Sequence, residues 1–187
     1  MIIQDNFKLK NIKKIDDYLN TLTYEPHSSL KGAVSTFQTD ISKEDNFPYK
    51  LFKPLFDKFL SLLDYQYDII DFWVNRYSYG GFVAHHNHRP KPELKSFKSV
   101  SGIYYFRKPP HSGNLILNDK LYPIKENDLL IFSPYNFHSS EKNLSQTERI
   151  VFSLNLTKGL SKIWNPSTET YLYLPKKKGN NVYKRIF

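Results

Sequence analysis

The sequence predicts a mainly β domain: an antiparallel sandwich or barrel with a helical layer on one face. Three observations predict it. Two stretches of helical period occupy the first third of the chain, and after Asp68 short β-branched and aromatic runs recur between turn signals. Aromatic residues are also heavy, at 14 Tyr, 14 Phe and 2 Trp, which suits pleated, half-buried surfaces better than a coiled coil. At 187 residues the chain fits one domain with appendages, able to bury roughly 70% of its unfolded surface.

The elements follow in order. Residues 10–22 place Ile12, Ile15, Leu19 and Leu22 at three- and four-residue steps, one apolar face of a short helix. A loop is expected through Pro26, Gly32 and Asp40. A second helix should begin near Pro48 or Pro54, since proline is tolerated in a first turn. Its stripe of Leu51, Leu55, Phe59 and Leu62, widened by Phe52, Phe56, Leu60 and Leu63, is broad enough to lie against a sheet. The segment from Ile69 to Tyr77 is close to alternating and reads as a strand, and the runs 101–106, 114–117, 128–132 and 149–156 read likewise. Gly80-Gly81, Pro109-Pro110, Ser112-Gly113 and Asn118-Asp119 punctuate them. From Asn165 onward the chain reads as an extension ending in the tail Lys176-Lys-Lys-Gly-Asn-Asn.

Composition excludes several chemistries. With no cysteine there is no disulfide framework, thiolate zinc finger, iron–sulfur cluster or cysteine nucleophile, so a transition metal must be held by His, Asp or Glu. No apolar run reaches the length of a membrane span, and the first residues carry no apolar core of signal-peptide length. A soluble, cytoplasmic protein is the expectation. The formal charge of +9 is concentrated late: between Lys158 and Arg185 stand seven Lys or Arg and one acid, Glu169. Such a tail binds nucleic acid or an acidic surface, or is solvated solubilising charge. No reader motif accompanies it, and the second reading is favoured.

Of the six histidines, three crowd into His85-His86-Asn87-His88, just after the Gly80-Gly81 turn. In an extended segment residues two apart share a face, so His86 and His88 can aim at one metal ion while His85 and Asn87 face away. His138 stands just beyond the apolar run 129–132. Arg149 opens the last strand of the core. Alternation puts it on one face with Val151, Ser153 and Asn155, and puts Ile150, Phe152, Leu154 and Leu156 on the other. A charge among mixed residues on an otherwise apolar strand reads as a pocket wall, or as an edge-strand arginine in a surface salt bridge. His27, His85 and His111 are expected to be non-ligands, His111 as a turn residue.

These motifs carry a resemblance. Tyr77-Ser-Tyr-Gly-Gly-Phe-Val-Ala-His-His-Asn-His resembles the Tyr-x-x-Gly-Gly-x-x-x-x-His-x-Asp stretch of prolyl-4-hydroxylase-like 2-oxoglutarate/Fe(II) dioxygenases. Ser101-Gly-Ile-Tyr-Tyr-Phe and Ser112-Gly-Asn-Leu-Ile-Leu resemble that family's next two strands, and Asn127-Asp-Leu-Leu-Ile-Phe-Ser-Pro, His138 and Arg149 resemble its distal half. The resemblance implies a double-stranded β-helix, a jelly-roll barrel with a metal at one mouth. The chain is then expected to form a single domain, with a helical support region over 1–66, the barrel over 67–157 and a basic extension over 158–187. It implies Fe(II) held by His86 and His138, and Arg149 clamping the distal carboxylate of 2-oxoglutarate. Tyr77 and Tyr105 would approach the same cosubstrate, and Ser153 would add a hydroxyl on the arginine's face. The implied reaction consumes dioxygen, releases succinate and CO2, and hydroxylates a C–H bond of a small-molecule or peptidyl substrate, a prolyl residue among the candidates.

The family's carboxylate, two residues after the first histidine, is replaced here by His88. His88 is read as the third ligand, with Glu93 as the alternative that supplies the carboxylate from the following loop. Glu93 also opens a second reading, because the spacing Gly80, His86-x-His88, Glu93 resembles the first motif of cupins, whose barrels bind a metal without 2-oxoglutarate. A catalytically inactive binding barrel is the third.

Overall fold

A computed structural model describes residues 2–37, 47–88, 98–165 and 170–175, the last stretches from 160 onward by their backbone only. The strands, in chain order, are β1 (Ile2–Asn6), β2 (Glu25–Pro26), β3 (Leu30–Ser35), β4 (Tyr67–Val83), β5 (Ser99–Arg107), β6 (Leu115–Leu117), β7 (Lys120–Tyr122), β8 (Asp128–Phe132), β9 (His138–Ser140), β10 (Arg149–Lys158), β11 (Leu160–Asn165) and β12 (Thr170–Pro175). The helices are α1 (Ile12–Leu19) and α2 (Tyr49–Ser61). Seven strands form one antiparallel sheet in the order β1-β8-β5-β10-β4-β3-β2, faced by a smaller sheet, β7-β6-β9. Strands β11 and β12 pair as a separate hairpin. The fold is a jelly roll, mainly β with helices backing one sheet.

Alternation explains the layering. On β10, Ile150, Phe152, Leu154 and Leu156 face the helices, where they meet Phe52, Leu55, Phe56 and Phe59 of α2. Each of these eight side chains is buried. On the other face Val151, with Ile103 and Tyr105 of β5, packs toward Leu115 and Leu117 of β6. At Gly102 the sheet lets α2 come close: a Cβ there would stand 2.8 Å from a Phe59 ring carbon. Helix α2 starts at Tyr49 with Pro54 inside it. That proline is exposed, so its missing N–H is lost on the solvent side.

The segment expected to be a loop contains β2 and β3, which extend the large sheet beyond β4. Gly32 hid this: it sits mid-strand at a φ of +58°, where the register with β4 shifts, and a bulge breaks the alternation that reveals a strand. Strand β1 was also unforeseen. It is half polar and pairs along β8, with Asn6 and Gln4 bonded to the Asp128 carboxylate. The Asn118-Asp119 signal proved to be a two-residue hairpin turn between β6 and β7, with φ of +47° and +61°.

One long strand, β4, leads from the large sheet to the histidine segment. Its pairing with β10 ends at Tyr77, its pairing with β3 runs on to Val83, and from Gly80-Gly81 the backbone also bonds across to the segment that follows β9. There Gly80 N–H donates to Asn143, Asn143 N–H donates to Gly81, and His86 and His138 exchange both backbone hydrogen bonds. Gly81 permits the crossing, since a Cβ on it would lie 2.3 Å from the Gly32 carbonyl oxygen. Among the described residues no helix is long and apolar enough to cross a membrane. The Lys176–Asn181 tail lies outside the described residues.

Candidate functional site

The inward face of the large sheet is a ladder of cross-strand rungs. Register pairs Tyr77 with Arg149, then Asn75 with Val151 and Tyr105, then Trp73 with Ser153 and Ile103, then Asp71 with Asn155 and Ser101. All of these residues except Ser101 line a cavity of about 520 Å³ between the two sheets. His86, His88 and His138 reach into it from the opposite side, where His86, just beyond β4, is bridged to His138 of β9.

The three imidazoles converge. One ring nitrogen from each lies within 4.8 Å of the others, and His86 Nε2 stands 3.1 Å from His88 Nε2. A metal–nitrogen bond of about 2.1 Å places two ligands at right angles about 3.0 Å apart, so this spacing fits one ion. Hydrogen bonds set the tautomers. His86 Nδ1 donates to the Ala84 carbonyl at 2.8 Å and His138 Nδ1 to the Asn136 carbonyl at 3.4 Å, which leaves their Nε2 lone pairs bare. Burial disfavours the charged form of each ring: His86 is lowered, His88 is pushed down to about 4 and His138 to about 2. The neighbouring imidazoles add to the shift at His88 and His138. Neutral rings are what ligation needs, and an all-imidazole set suits Fe, Ni, Cu or Zn.

His-x-His behaves as alternation requires. His85 points away, stacked on Phe137 with centroids 4.8 Å apart, and His111 sits at a turn with φ +62°. His27 lies on the cavity flank, bonded to Ser29 and edge-on to Phe37. Glu93 lies outside the described residues.

Arg149 is 1% exposed, on a strand between β4 and β5, which excludes the edge-strand surface salt bridge. Its guanidinium donates to the main-chain carbonyls of Ser112 and Glu141 and, at 2.8 Å, to Ser140 Oγ. The Tyr77 ring lies 4.3 Å below it. Its Nε has no partner, and among the described residues no carboxylate forms an ion pair with it. A buried cation without a counter-charge is costly, and an anion entering the cavity would relieve that cost. Burial raises Tyr77 to about 12 and raises Tyr105 also, against the opposing charge of Arg149, so both keep their phenolic protons.

Ser153 shares the arginine's face as alternation predicts, but four residues along a strand is about 13 Å. Its hydroxyl accepts from Asn75 Nδ2 at 3.2 Å, while the hydroxyl that meets Arg149 is that of Ser140. Ser140, Ser112 and Asn75 were missed by the sequence reading. Ser112 and Ser140 stand in short segments whose approach to Arg149 exists only across the two sheets. Asn75 had a signal, its place in the alternating run with Trp73 and Tyr77.

No protein-family model and no curated protein matches the sequence, but solved structures match the fold. An oxidoreductase of the 2-oxoglutarate/Fe(II) oxygenase family from Burkholderia pseudomallei is similar at a TM-score of 0.63 and 12% identity, covering 83% of this chain and 84% of its own. HygX from Streptomyces hygroscopicus, with nickel, 2-oxoglutarate and hygromycin B bound, is similar at 0.61 and 10% identity, covering 84% and 82%. A Pseudomonas putida prolyl-4-hydroxylase is similar at 0.59 and 15% identity, covering 84% and 91%. What this chain shares with all three is the fold, a double-stranded β-helix whose two sheets enclose the cavity.

Proposed function

We propose that this chain is an Fe(II)- and 2-oxoglutarate-dependent oxygenase acting on a C–H bond of a small-molecule or peptidyl substrate. The observation that carries the reading is the pairing, in one cavity, of three converging imidazoles with a buried arginine that lacks a counter-anion. His86, His88 and His138 would hold the iron. When bound, iron supplies, with 2-oxoglutarate and dioxygen, the oxidative decarboxylation to succinate and CO2 that is coupled to hydroxylation. The neighbours' partners support both substrate classes: hygromycin B bound to one, prolyl hydroxylation in the name of another.

The chain's own residues bind, orient and exclude water. Arg149 clamps the distal carboxylate of 2-oxoglutarate with its planar fork, which lies over the Tyr77 ring and donates to the hydroxyl of Ser140. Tyr77 and Tyr105, protonated throughout the physiological range, donate rather than repel. Val151, Ile103 and Leu115 line the intervening wall and keep water away from the chelated acid. Because three neutral ligands leave the metal's charge uncompensated, an anionic cosubstrate is favoured further.

The test is an anaerobic titration with Fe(II) and then 2-oxoglutarate, following the visible charge-transfer band of the chelate. The band is expected in the wild type, weakened in Arg149→Ala with iron retained, and absent with the iron in His138→Ala. Glu93→Gln should keep its iron. Metal binding without the band, lost in Glu93→Gln, would replace this reading with a cupin-like one. No metal binding would replace it with an inactive barrel.

A further inference from the structure

Three neighbouring strands of the large sheet each place one polar residue on the rung nearest His88. Asp71 of β4, Asn155 of β10 and Ser101 of β5 are Cα partners in register. Their side chains are linked. Asn155 Nδ2 donates to Asp71 Oδ2 at 3.2 Å, Ser101 Oγ lies 3.4 Å from Asn155 Oδ1, and His88 Nδ1 lies 3.1 Å from Ser101 Oγ. Asp71 is the single carboxylate among the described residues that line the cavity.

The direction of every proton in this row follows from its end. A carboxylate only accepts, so Asn155 turns its NH2 group toward Asp71 and its carbonyl toward Ser101. The serine hydroxyl then donates to that carbonyl and offers a lone pair to His88. His88 must carry its proton on Nδ1, and its Nε2 is left bare, facing His86 Nε2.

We propose that Asp71, Asn155 and Ser101 are positioning residues of the metal site: a hydrogen-bonded rung that fixes His88 in its Nδ1–H tautomer and aims Nε2 at the point shared with His86 and His138. The inference rests on the metal reading of the triad given above. The other two ligands are oriented by main-chain carbonyls, so His88 is the one whose orientation depends on side chains. His88 is also the residue that stands where a carboxylate ligand is expected. A carboxylate is present after all, three hydrogen bonds behind the imidazole, where it fixes the direction of the row's protons without touching the metal.

Two readouts test the rung, neither of them turnover. The first is affinity for Co(II) alone, followed by its visible bands. The second is the long-range proton–nitrogen spectrum of the histidine rings in the metal-free protein, which reports the His88 tautomer. Ser101→Ala and Asn155→Leu should each weaken Co(II) binding about 10- to 100-fold and mix the His88 tautomers. Ser101→Thr, which keeps the hydroxyl, should restore both. Asp71→Asn is isosteric and carries the test if the alanine variant fails to fold; it removes the fixed acceptor and should give the same tautomer mixing. Unchanged affinity with a pure Nδ1–H tautomer in Ser101→Ala and Asp71→Asn would overturn the proposal. If the wild type binds no Co(II), the metal reading of the triad fails instead. The tautomer spectra then still decide whether the rung orients His88.

Discussion

Folding buries His86, His88 and His138 and disfavours their charged forms, so each ring binds its proton less tightly folded than unfolded, where imidazole titrates near pH 6.5. The sign follows. The metal-free chain has its full stability above about pH 6.5 and loses it as the pH falls from there through about 4, the value to which His88 is pushed. Each ring steepens the loss by at most about 1.4 kcal/mol per pH unit. Denaturant midpoints of the metal-free protein should therefore drop between about pH 7 and about pH 5, and drop less steeply in His88→Gln. Parallel slopes would show that folding does not hold the ring neutral. Arg149 is different, because its charge cannot be given up on burial. Its fork is instead held by carbonyls, a hydroxyl and a ring face, an arrangement that leaves Nε for an incoming acceptor.

At the scale of elements, the decisive one is β4, whose pairing with β10 ends at Tyr77 and which, still paired with β3 as far as Val83, leads through Gly80-Gly81 to the histidine segment. The histidine segment is therefore positioned by a backbone crossing rather than by its own packing. Gly81→Ala forces a Cβ to within 2.3 Å of the Gly32 carbonyl oxygen, which β3 cannot relieve without shifting its pairing with β4. The expected outcome is a destabilisation of about 1–3 kcal/mol together with weaker metal binding, measured by thermal unfolding and Co(II) titration. Loss of stability with full metal affinity would mean that the 82–88 segment is placed independently of the crossing. The glycine pair was visible in the sequence as a turn signal, but the bulge it shares with Gly32 was not. Residues about fifty positions apart meet there, and no local pattern records that.

For the whole molecule, the large sheet separates two functions. Its helix-facing side carries the packing, with Phe152 stacked on Phe106 and edge-on to Phe52 and Phe72; its other side carries the site. Phe152→Ala should cost about 3–5 kcal/mol of stability, yet leave metal affinity per folded molecule nearly unchanged, because alternation points that ring away from the cavity. Calorimetric melting beside a Co(II) titration checks both. A collapse of affinity in molecules that remain folded would show that the two faces are coupled through the sheet.

Some of this protein was determined by sequence alone, because it depends on period. Alternation along 149–156 assigned the two faces of β10, the two-residue spacing put His86 and His88 on one side, and the helical stripe of α2 announced the surface it covers. Tertiary structure decided the rest, because it depends on register between distant strands. Cross-strand pairing brought Asp71 and Ser101 to either side of Asn155, and the backbone bridge between His86 and His138 brought His138 to the other imidazoles. Packing of the small sheet set Ser140 rather than Ser153 against Arg149. A strand's own sequence fixes which way its side chains point, but only its neighbours fix what they meet.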